Sequence, residues 1–448
     1  MSSENSRIEK VSKMIKGSVT LKLITITILM LLLLIPASMV KSIIQEREQL
    51  NNQVTREVSS KWANDQRLTG PILTIPLLYE YNKDEEESVT KVKYWHILPK
   101  NLNIDGEVIP EKLKRGLYEV VVYKSDIHLT GDYVIESKPD PNDLKEIQYD
   151  KAFLTMGISD LRGVKNQIKL NWGGAKLDVD PGSKLDDIVP SGITVRLPDL
   201  SEKIEEKLSF DFAVDLQGSK NLSFVPVGST TNVDIDSPWS SPSFNGNFLP
   251  TTRNVTEDGF TASWSVLQLN RNYPQTWIGN GNSVQMDESS FGVDFILPLD
   301  DYQKSYRSAK YAALTISLTF LIFFLVEIMN GRRIHPFQYA LVGLALCLFY
   351  VLLVSISEHT NFNFAYAVSA LGIVLMISLY SISVFKKLKL SVLLLSVLSA
   401  IYGFLFVTLQ LADYALVMGS VGLSLILALT MYFTRNINWY QLSIESDS

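Results

Sequence analysis

Apolar residues occur in long blocks near both ends of the chain, and a polar, alternating stretch separates the first block from the others. A helix needs roughly 20 apolar residues to cross a bilayer. Six blocks approach or reach this length, counting flanking residues, and together they predict a multi-pass α-helical membrane protein with six transmembrane helices. The blocks are 23–40, 312–329, 337–356, 364–385, 390–411 and 414–433.

The stretch from about 45 to 300 has no block long enough to span a membrane. Period-two alternation, which is typical of half-buried strands, occurs in 118–123, 207–216 and 260–269, and Pro181-Gly182 marks a turn between such segments. Residues 42–61 lack Gly and Pro, and therefore continue the first helix as a stalk. The pattern predicts a large β-rich domain inserted between the first and second transmembrane helices.

These patterns divide the chain into five parts, each with its own predicted location. They are a basic cytoplasmic N-terminus (1–22), the first transmembrane helix (23–44), a periplasmic β-rich domain (45–308), a C-terminal bundle of five transmembrane helices (309–433) and a cytoplasmic tail (434–448).

The first apolar block is either a retained anchor or a cleaved signal peptide. It is longer than the apolar core of a usual signal peptide, and Ile35-Pro36-Ala37-Ser38 matches a cleavage site poorly, so the anchor is favoured. Pro36 lacks a backbone N–H and is expected to bend or end the helix.

The short loops indicate the orientation of the bundle. Lys and Arg lie on the side of the basic N-terminus, whereas the opposite loops, 357–363 and 410–413, carry neither. This positive-inside distribution predicts that both termini are cytoplasmic and that the β-rich domain is periplasmic. Four cations flank the large domain on the other side, but a long loop is translocated largely regardless of its charge. These four cations are Lys41, Lys304, Arg307 and Lys310.

Composition and motifs point away from several classes of function. A formal net charge of −6 disfavours nucleic acid as a partner, and a single cysteine, Cys347, cannot form an internal disulfide. The sequence lacks the common motifs for phosphate binding, zinc hydrolysis, serine hydrolysis and thiol redox chemistry. We therefore expect no cofactor, no metal and no enzymatic activity. The expected partners are membrane lipids and a periplasmic protein or envelope polymer, and nothing indicates an oligomeric state.

A first group of candidate polar residues lies at the predicted periplasmic mouth of the bundle: Glu358, His359, Gln410 and Asp413. An acid beside an imidazole near water can relay protons, bind a cation or dock the periplasmic domain. The alternative is that these residues only cap helices and contact loops. Asp413 fits that alternative as the N-cap of a helix that starts at Tyr414.

A second group lies at the predicted cytoplasmic end: Glu327, Arg332, Arg333 and His335. An unpaired carboxylate in hydrocarbon is costly, so Glu327 is expected to pair with one of the three basic residues or to reach the interface. The alternative is a basic pocket for anionic lipid headgroups. Pro336 fits the first turn of the next helix.

Small residues predict how the helices pack. In the third span, Gly343, Cys347, Tyr350, Val354 and Ser357 form one stripe at helical spacing and predict a packing seam. Ser420, Ser424 and Ala428 repeat at every fourth position, as do Ser396 and Ala400, and predict close contacts among the last four helices.

Strings of residues spread over the chain resemble the CreD family. In the bundle they run from Arg332-Arg333-x-His335-Pro336 to Ser355-x-Ser357-Glu358-His359. In the β-rich part they include Leu68-Thr69-Gly70-Pro71, Ile97-Leu98-Pro99, Arg115-Gly116-x-Tyr118, Asp160-x-Arg162-Gly163, Ser241-Pro242-Ser243-Phe244-x-Gly246-x-Phe248-Leu249-Pro250, Gly259-Phe260-x-Ala262-x-Trp264 and Arg271-x-x-Pro274-Gln275.

The resemblance implies a bacterial inner-membrane protein linked to cell-envelope integrity and colicin tolerance, in a family with no established biochemical activity. Ala412 stands where the family usually carries an acid, which weakens any mechanism that needs two carboxylates at that mouth. Two hypotheses follow. The first is a non-enzymatic protein that contributes to envelope integrity or the envelope stress response. The second is a transporter or lipid-handling protein that uses the polar cluster at the periplasmic mouth.

Overall fold

A computed structural model describes residues 19–84, 87–136, 139, 144–297, 301–330, 334–411 and 414–435. The described residues form two compact units. The membrane unit comprises those up to 51 together with those from 301 onward, and the β unit comprises those from 52 to 297.

The first helix, α1, is one continuous helix of 44 residues, so the predicted stalk does continue the first apolar block. The helix passes through Pro36, so the expectation that it could end there is wrong. The other described α-helices are α2 (Ser283–Glu288), α3 (Asp301–Lys310), α4 (Ala312–Asn330), α5 (Pro336–Ser357), α6 (Phe362–Phe385), α7 (Leu388–Gln410) and α8 (Ala415–Thr434), and α1 itself is Val19–Trp62.

The β unit contains eighteen described strands, and three of them cover most of the segments predicted from alternation. Residue 207 precedes its strand, and residues 268–269 lie in a short 3₁₀ helix. They are β1 (Gln66–Asp84), β2 (Glu87–Ile97), β3 (Asn101–Arg115), β4 (Tyr118–Tyr133), β5 (Leu144–Ile147), β6 (Phe153–Ile158), β7 (Lys169–Trp172), β8 (Ala175–Asp178), β9 (Asp180–Pro181), β10 (Gly192–Arg196), β11 (Leu208–Ser219), β12 (Asn221–Val225), β13 (Thr230–Ser237), β14 (Pro242–Gly246), β15 (Thr252–Val255), β16 (Phe260–Leu267), β17 (Thr276–Ile278) and β18 (Phe291–Phe295).

These strands form two sheets. The ten-stranded sheet has the order β14-β18-β12-β1-β6-β10-β9, and its β2 and β5 pair with the far half of β1 while β17 pairs with β2. The eight-stranded sheet has the order β15-β16-β13-β3-β4-β11-β7-β8. Two pairings are parallel, β1 with β12 and β3 with β13, so each brings together segments that are distant in sequence.

Buried side chains from both sheets make one hydrophobic core. Alternation explains this directly, because in β11 the even-numbered residues from Leu208 to Leu216 are buried and those between them are exposed or half-buried. Five aromatic residues also belong here: Phe260 and Trp264 are buried, while Trp239, Phe244 and Phe248 are partly buried and pack on the same core.

The membrane unit is a helical bundle in which α5 packs on α6 and α6 on α7. Four described helices, α1, α5, α6 and α7, are long and apolar enough to cross a membrane, and α3 with α4 makes a fifth if this bent pair counts as one span. The apolar part of α8, Val417–Tyr432, is shorter. Multiple spans are therefore established by length and composition, and the sixth stays a prediction.

The small-residue stripes of the last two helices do not pack within the chain. Ser420, Ser424 and Ala428 are exposed on α8, and Ser396 and Ala400 are exposed on α7. The small residues do share one face of each helix, as their spacing predicts, but each helix packs through a different face. On α8 it includes Gly422, which lies against the ring of Phe404.

Candidate functional site

The carboxylate of Glu327 lies at the centre of a buried polar network near the end of α4. Its Oε1 pairs with the Lys22 ammonium and accepts a hydrogen bond from the Ile334 backbone N–H at 2.9 Å. Its Oε2 accepts a hydrogen bond from the Tyr339 hydroxyl at 2.9 Å. The side chain of Glu327 is fully buried, and both oxygens have partners, as a carboxylate removed from water requires.

This network includes a partner of Glu327 that the sequence did not indicate. Its carboxylate pairs with Lys22 of α1, whereas the sequence suggested Arg332, Arg333 or His335. Arg332 and Arg333 lie outside the described residues. Lys22 also donates a hydrogen bond to the Ile334 carbonyl at 2.8 Å and lies 5.8 Å from the centre of the Tyr339 ring. We call this end of the bundle, marked by Lys22, Glu327 and Ile334, the Lys22 end.

His335 has a structural role at the start of α5. Its Nδ1 accepts a hydrogen bond from the Phe337 backbone N–H at 3.2 Å, and Gln338 Oε1 accepts one from the His335 backbone N–H at 3.0 Å. The two residues therefore satisfy free N–H groups reciprocally, as a capping box does. Pro336 occupies the first turn, as the sequence predicts.

The predicted mouth cluster is distributed over separate contacts. Glu358 Oε1 lies 3.2 Å from the Arg47 Nε of α1, and Gln410 donates to the Asn363 Oδ1 at 2.6 Å. His359 is exposed. We call this opposite end of the bundle the Glu358 end.

Asp413 lies outside the described residues, and the N-cap position of α8 is Tyr414 rather than the predicted Asp413. Among the described residues of the cluster, neither Glu358 nor Gln410 forms an ion pair or hydrogen bond with His359. The described polar residues at this end therefore connect neighbouring helices, Glu358 with Arg47 of α1 and Gln410 with Asn363 of α6.

The stripe on α5 is a packing seam, as predicted. All five of its residues are buried, and a Cβ on Gly343 would overlap the Leu33 side chain of α1 and lie 3.0 Å from the Phe320 ring of α4. Cys347 Sγ approaches the Leu33 carbonyl at 3.7 Å, and the Tyr350 hydroxyl donates to Thr315 at 3.3 Å. The first helix is thus an integral part of the bundle core.

In the β unit, the string Asp160-x-Arg162-Gly163 connects the end of α1 to the sheets. The Asp160 carboxylate accepts from the Asn64 backbone N–H at 2.9 Å and from the Arg162 Nη2 at 2.5 Å, and Arg162 also donates to the Ser60 carbonyl. The adjacent guanidinium of Arg162 lowers the pKa of Asp160 to about 2. Gly163 is required because a Cβ there would overlap the Gln217 carbonyl.

Two other strings that are distant in sequence meet in space. Arg271 is buried and donates hydrogen bonds to the Tyr273 carbonyl at 3.0 Å and to the Gln275 side chain. Gln275 in turn donates to the Pro99 carbonyl at 2.5 Å, and the Leu98 N–H donates to the Gln275 carbonyl at 2.9 Å. Burial lowers the pKa of the Arg271 guanidinium, and main-chain and side-chain oxygens surround its two terminal nitrogens.

The same holds for the aromatic strings. The Trp264 indole donates to the Phe248 carbonyl at 3.2 Å, and the Phe244 ring lies 5.5 Å from the Phe260 ring and 5.7 Å from the Trp264 ring. Residues that share these strings are therefore bound to one another, and the contacts join β14 and its following loop to β16.

Sequence reasoning missed an acidic groove of about 540 Å³ on the exposed face of the eight-stranded sheet. Asp236, Glu107, Asp126 and Asp215 stand directly opposite one another on four adjacent strands, β13, β3, β4 and β11. Asp234 and Asp105 form the next row. The signal in the sequence was acids two positions apart, Asp105 with Glu107 and Asp234 with Asp236, but the strand order that aligns them was not predictable. Among the described residues, no group of three or more His, Cys, Asp or Glu could hold a metal ion.

The fold and its polar contacts define a membrane protein in whose sequence a β-rich domain is inserted between the first apolar helix and the other helices of the bundle. A family model described as inner membrane protein CreD matches residues 18–440. The inner membrane protein CreD of Escherichia coli (strain K12) is 33% identical over 436 residues, which cover 96% of this chain and 96% of that protein. The chain belongs to the CreD family of inner membrane proteins.

Proposed function

We propose that this protein is a non-enzymatic inner-membrane protein that supports cell-envelope integrity and the envelope stress response. One observation carries the proposal: residues of the shared strings are used to hold the fold. Asp160 and Arg162 fasten the end of α1, Arg271 and Gln275 hold Leu98 and Pro99, and Trp264 holds Phe248. Residues that stabilise the fold in this way suit a protein that acts by binding partners rather than by catalysis.

The proposed topology has six transmembrane helices, both termini in the cytoplasm and the β-rich domain in the periplasm. It is supported by the bias of Lys and Arg toward one set of short loops and by the presence of 20 residues in α8. The docking of α1 through Lys22 and Gly343 supports a retained helix, since a cleaved signal peptide would leave Glu327 without its cation.

The proposed partners are membrane lipids and a periplasmic protein or envelope polymer that meets the β-rich domain. The test is deletion of the gene, followed by measurement of sensitivity to detergent, colicin and cell-wall antibiotics under inducing conditions. We expect sensitivity to change and the wild-type gene to restore it. Unchanged sensitivity to all three agents would remove the envelope role.

The transporter or lipid-handling alternative depends on the residues of the Glu358 end. Glu358 pairs with Arg47 of α1, and this pairing favours a role in holding α1 and α5 together. Complementation with Glu358→Gln and with His359→Ala distinguishes the two functions. We expect both variants to complement at normal expression, whereas loss of function in both, with expression and folding intact, would favour transport.

A further inference from the structure

The short helix α3 crosses the Glu358 end of the membrane unit. It contacts α4, α5, α6 and α7, and it is bent by 41° from α4, which follows it immediately. Ser305, Ser308 and Ala309 are buried on its inner face. A short helix that lies across the end of a bundle, next to the start of an apolar helix, is in the position expected of an interfacial helix.

The remaining face of α3 is basic. Lys304, Arg307 and Lys310 are spaced three residues apart and therefore share one side of the helix. Lys310 is exposed, Lys304 and Arg307 are half-buried, and within the described part of the chain none of the three pairs with a carboxylate. Two cations of α1 differ in this respect, because Lys22 pairs with Glu327 and Arg47 with Glu358.

Aromatic rings accompany these cations. The Lys304 ammonium lies 5.8 Å from the centre of the Phe362 ring at the start of α6, and the Lys310 ammonium lies 4.9 Å from that of Tyr306. Tyr306 and Tyr311 are half-buried. Tyr, with its apolar ring and polar hydroxyl, is enriched where hydrocarbon meets water, and long basic side chains can extend from that depth toward headgroups.

These three cations are also exceptions to the charge distribution that orients the chain. They lie on the side that should be poor in Lys and Arg. A long loop is translocated largely regardless of its charge, which explains why cations can occur there but does not give them a role. A cation at a bilayer interface without a carboxylate partner is complementary to a lipid phosphate, to which Arg can bind in bidentate fashion.

We propose that Lys304, Arg307 and Lys310 of α3 form a binding surface for the phosphate groups of anionic phospholipids at the Glu358 end of the bundle. The surface fastens α3 to the lipid around α4. This inference does not depend on the proposed envelope function, because it concerns only the membrane unit.

The test compares lipid enrichment around the purified full-length protein in nanodiscs of phosphatidylcholine, with and without phosphatidylglycerol. Mass spectrometry measures the phosphatidylglycerol that remains after mild detergent extraction. The variant K304Q/R307Q/K310Q should lose most of the enrichment, since each Lys or Arg near an anionic surface contributes about fivefold to partitioning. The matched control K165Q/K169Q/K176Q removes three exposed cations of the β unit and should keep the wild-type enrichment.

Two further variants guard against a folding defect. Lys310→Gln changes only the exposed position and should lower enrichment by about fivefold, and K304R/R307K/K310R keeps all three charges and should retain the enrichment. Equal enrichment in the wild type and in a folded triple Gln variant would overturn the proposal.

The remaining outcomes identify other occupants. If inorganic phosphate in phosphatidylcholine discs stabilises the wild type against thermal unfolding as much as phosphatidylglycerol does, the surface binds a soluble anion and the lipid proposal is wrong. If lipid enrichment is absent but the triple Gln variant fails to complement a gene deletion, the surface binds an acidic protein segment, which equally overturns it.

Discussion

At the scale of single residues, the Lys22–Glu327 pair gives an asymmetric prediction. Lys22→Met leaves a fully buried carboxylate without its cation, and breaking such a pair costs about 3–5 kcal/mol. Glu327→Gln should cost less, because the amide can still accept from Tyr339 or Ile334 and Lys22 is close enough to the surface to be hydrated. The double variant K22M/E327Q should be more stable than K22M alone. Thermal unfolding of the detergent-solubilised protein measures this order.

The control for this cycle is the exposed pair Lys61–Glu57, which has the same charges one helical turn apart. Lys61→Met should leave the unfolding midpoint nearly unchanged, because solvent screens exposed pairs. Additive effects of K22M and E327Q would show that the two side chains are not coupled.

His96 gives the second prediction at this scale. It is buried beside Thr74, whose hydroxyl oxygen is 3.0 Å from the ring Nδ1, and burial lowers the pKa of His96 to about 4. The unfolded chain, with a His pKa of about 6.5, binds the proton more readily. The stability that neutral His96 contributes is therefore complete above about pH 6.5 and is lost as the pH falls toward 4, by on the order of 3 kcal/mol.

The difference in free energy of unfolding between wild type and His96→Gln isolates this effect, because carboxylates that titrate in the same pH range contribute equally to both proteins. In urea unfolding experiments, this difference in free energy of unfolding should change by on the order of 3 kcal/mol between pH 7 and pH 4. His128→Gln, at an exposed position, is the matched control for replacing an imidazole by an amide. A gap that is constant with pH would mean that His96 titrates normally.

The residue scale also shows the limit of the sequence. Hydropathy and the cost of burying a charge were sufficient to predict that Glu327 needs a partner. The identity of that partner depended on which helix packs beside α4, and Lys22 lies 305 residues away in the chain. Spacing along the chain pointed to the nearby cations, because a single sequence does not show which distant residues become neighbours in the fold.

At the scale of elements, the docking of α1 depends on the absence of a side chain at Gly343. Gly343→Val should destabilise the bundle by about 1–3 kcal/mol, because the added atoms overlap Leu33 and force α1 or Phe320 to move. Leu33→Ala should partly rescue this variant by making room. Gly372→Ala on α6 is the control, because nothing lies within 4 Å of its added Cβ, and better helix propensity should make it neutral or stabilising. Thermal unfolding in detergent compares the four variants.

The acidic rows of the eight-stranded sheet give a second prediction for an element. Like charges directly opposite one another on neighbouring strands destabilise a sheet, and Glu107 lies between Asp236 and Asp126. Glu107→Gln should therefore raise the stability of the β unit by a few tenths of a kcal/mol, more at low than at high salt.

Glu119→Gln is the matched control for that substitution, because Glu119 pairs with Lys114 at 3.2 Å and has no comparable repulsion to relieve. Urea unfolding at two salt concentrations measures both variants. A salt-independent effect of Glu107→Gln would show that repulsion is not its cause.

Elements were predictable to the extent that their signals are local. Length and hydropathy identified α1 and α5–α7, and alternation identified β4, β11 and β16. The strand order was not predictable, because the start of β1 at Gln66 pairs in parallel with Leu222 of β12, and no short-range rule specifies that partner. The exposed Ser420 stripe shows the same limit in helices, where a regular face does not reveal which neighbour it meets.

At the scale of the whole molecule, the proposed topology places residue 176 and residue 389 on opposite sides of the inner membrane. Both are exposed lysines, one in the β unit and one near the start of α7, so cysteine replacements should be accessible without disturbing the core. Cys347 is buried, and Cys347→Ala gives a background without native thiols.

A membrane-impermeant maleimide should label K176C in cells whose outer membrane has been permeabilised, and should label K389C only after the inner membrane is broken. The reverse pattern would invert the orientation, while labelling of both in intact inner membranes would show that an even number of helices crosses the membrane between the two positions. The expected result follows from the energetic preference for keeping Lys386, Lys387 and Lys389 in the cytoplasm, a preference that acts on short loops and not on the long β-rich insertion.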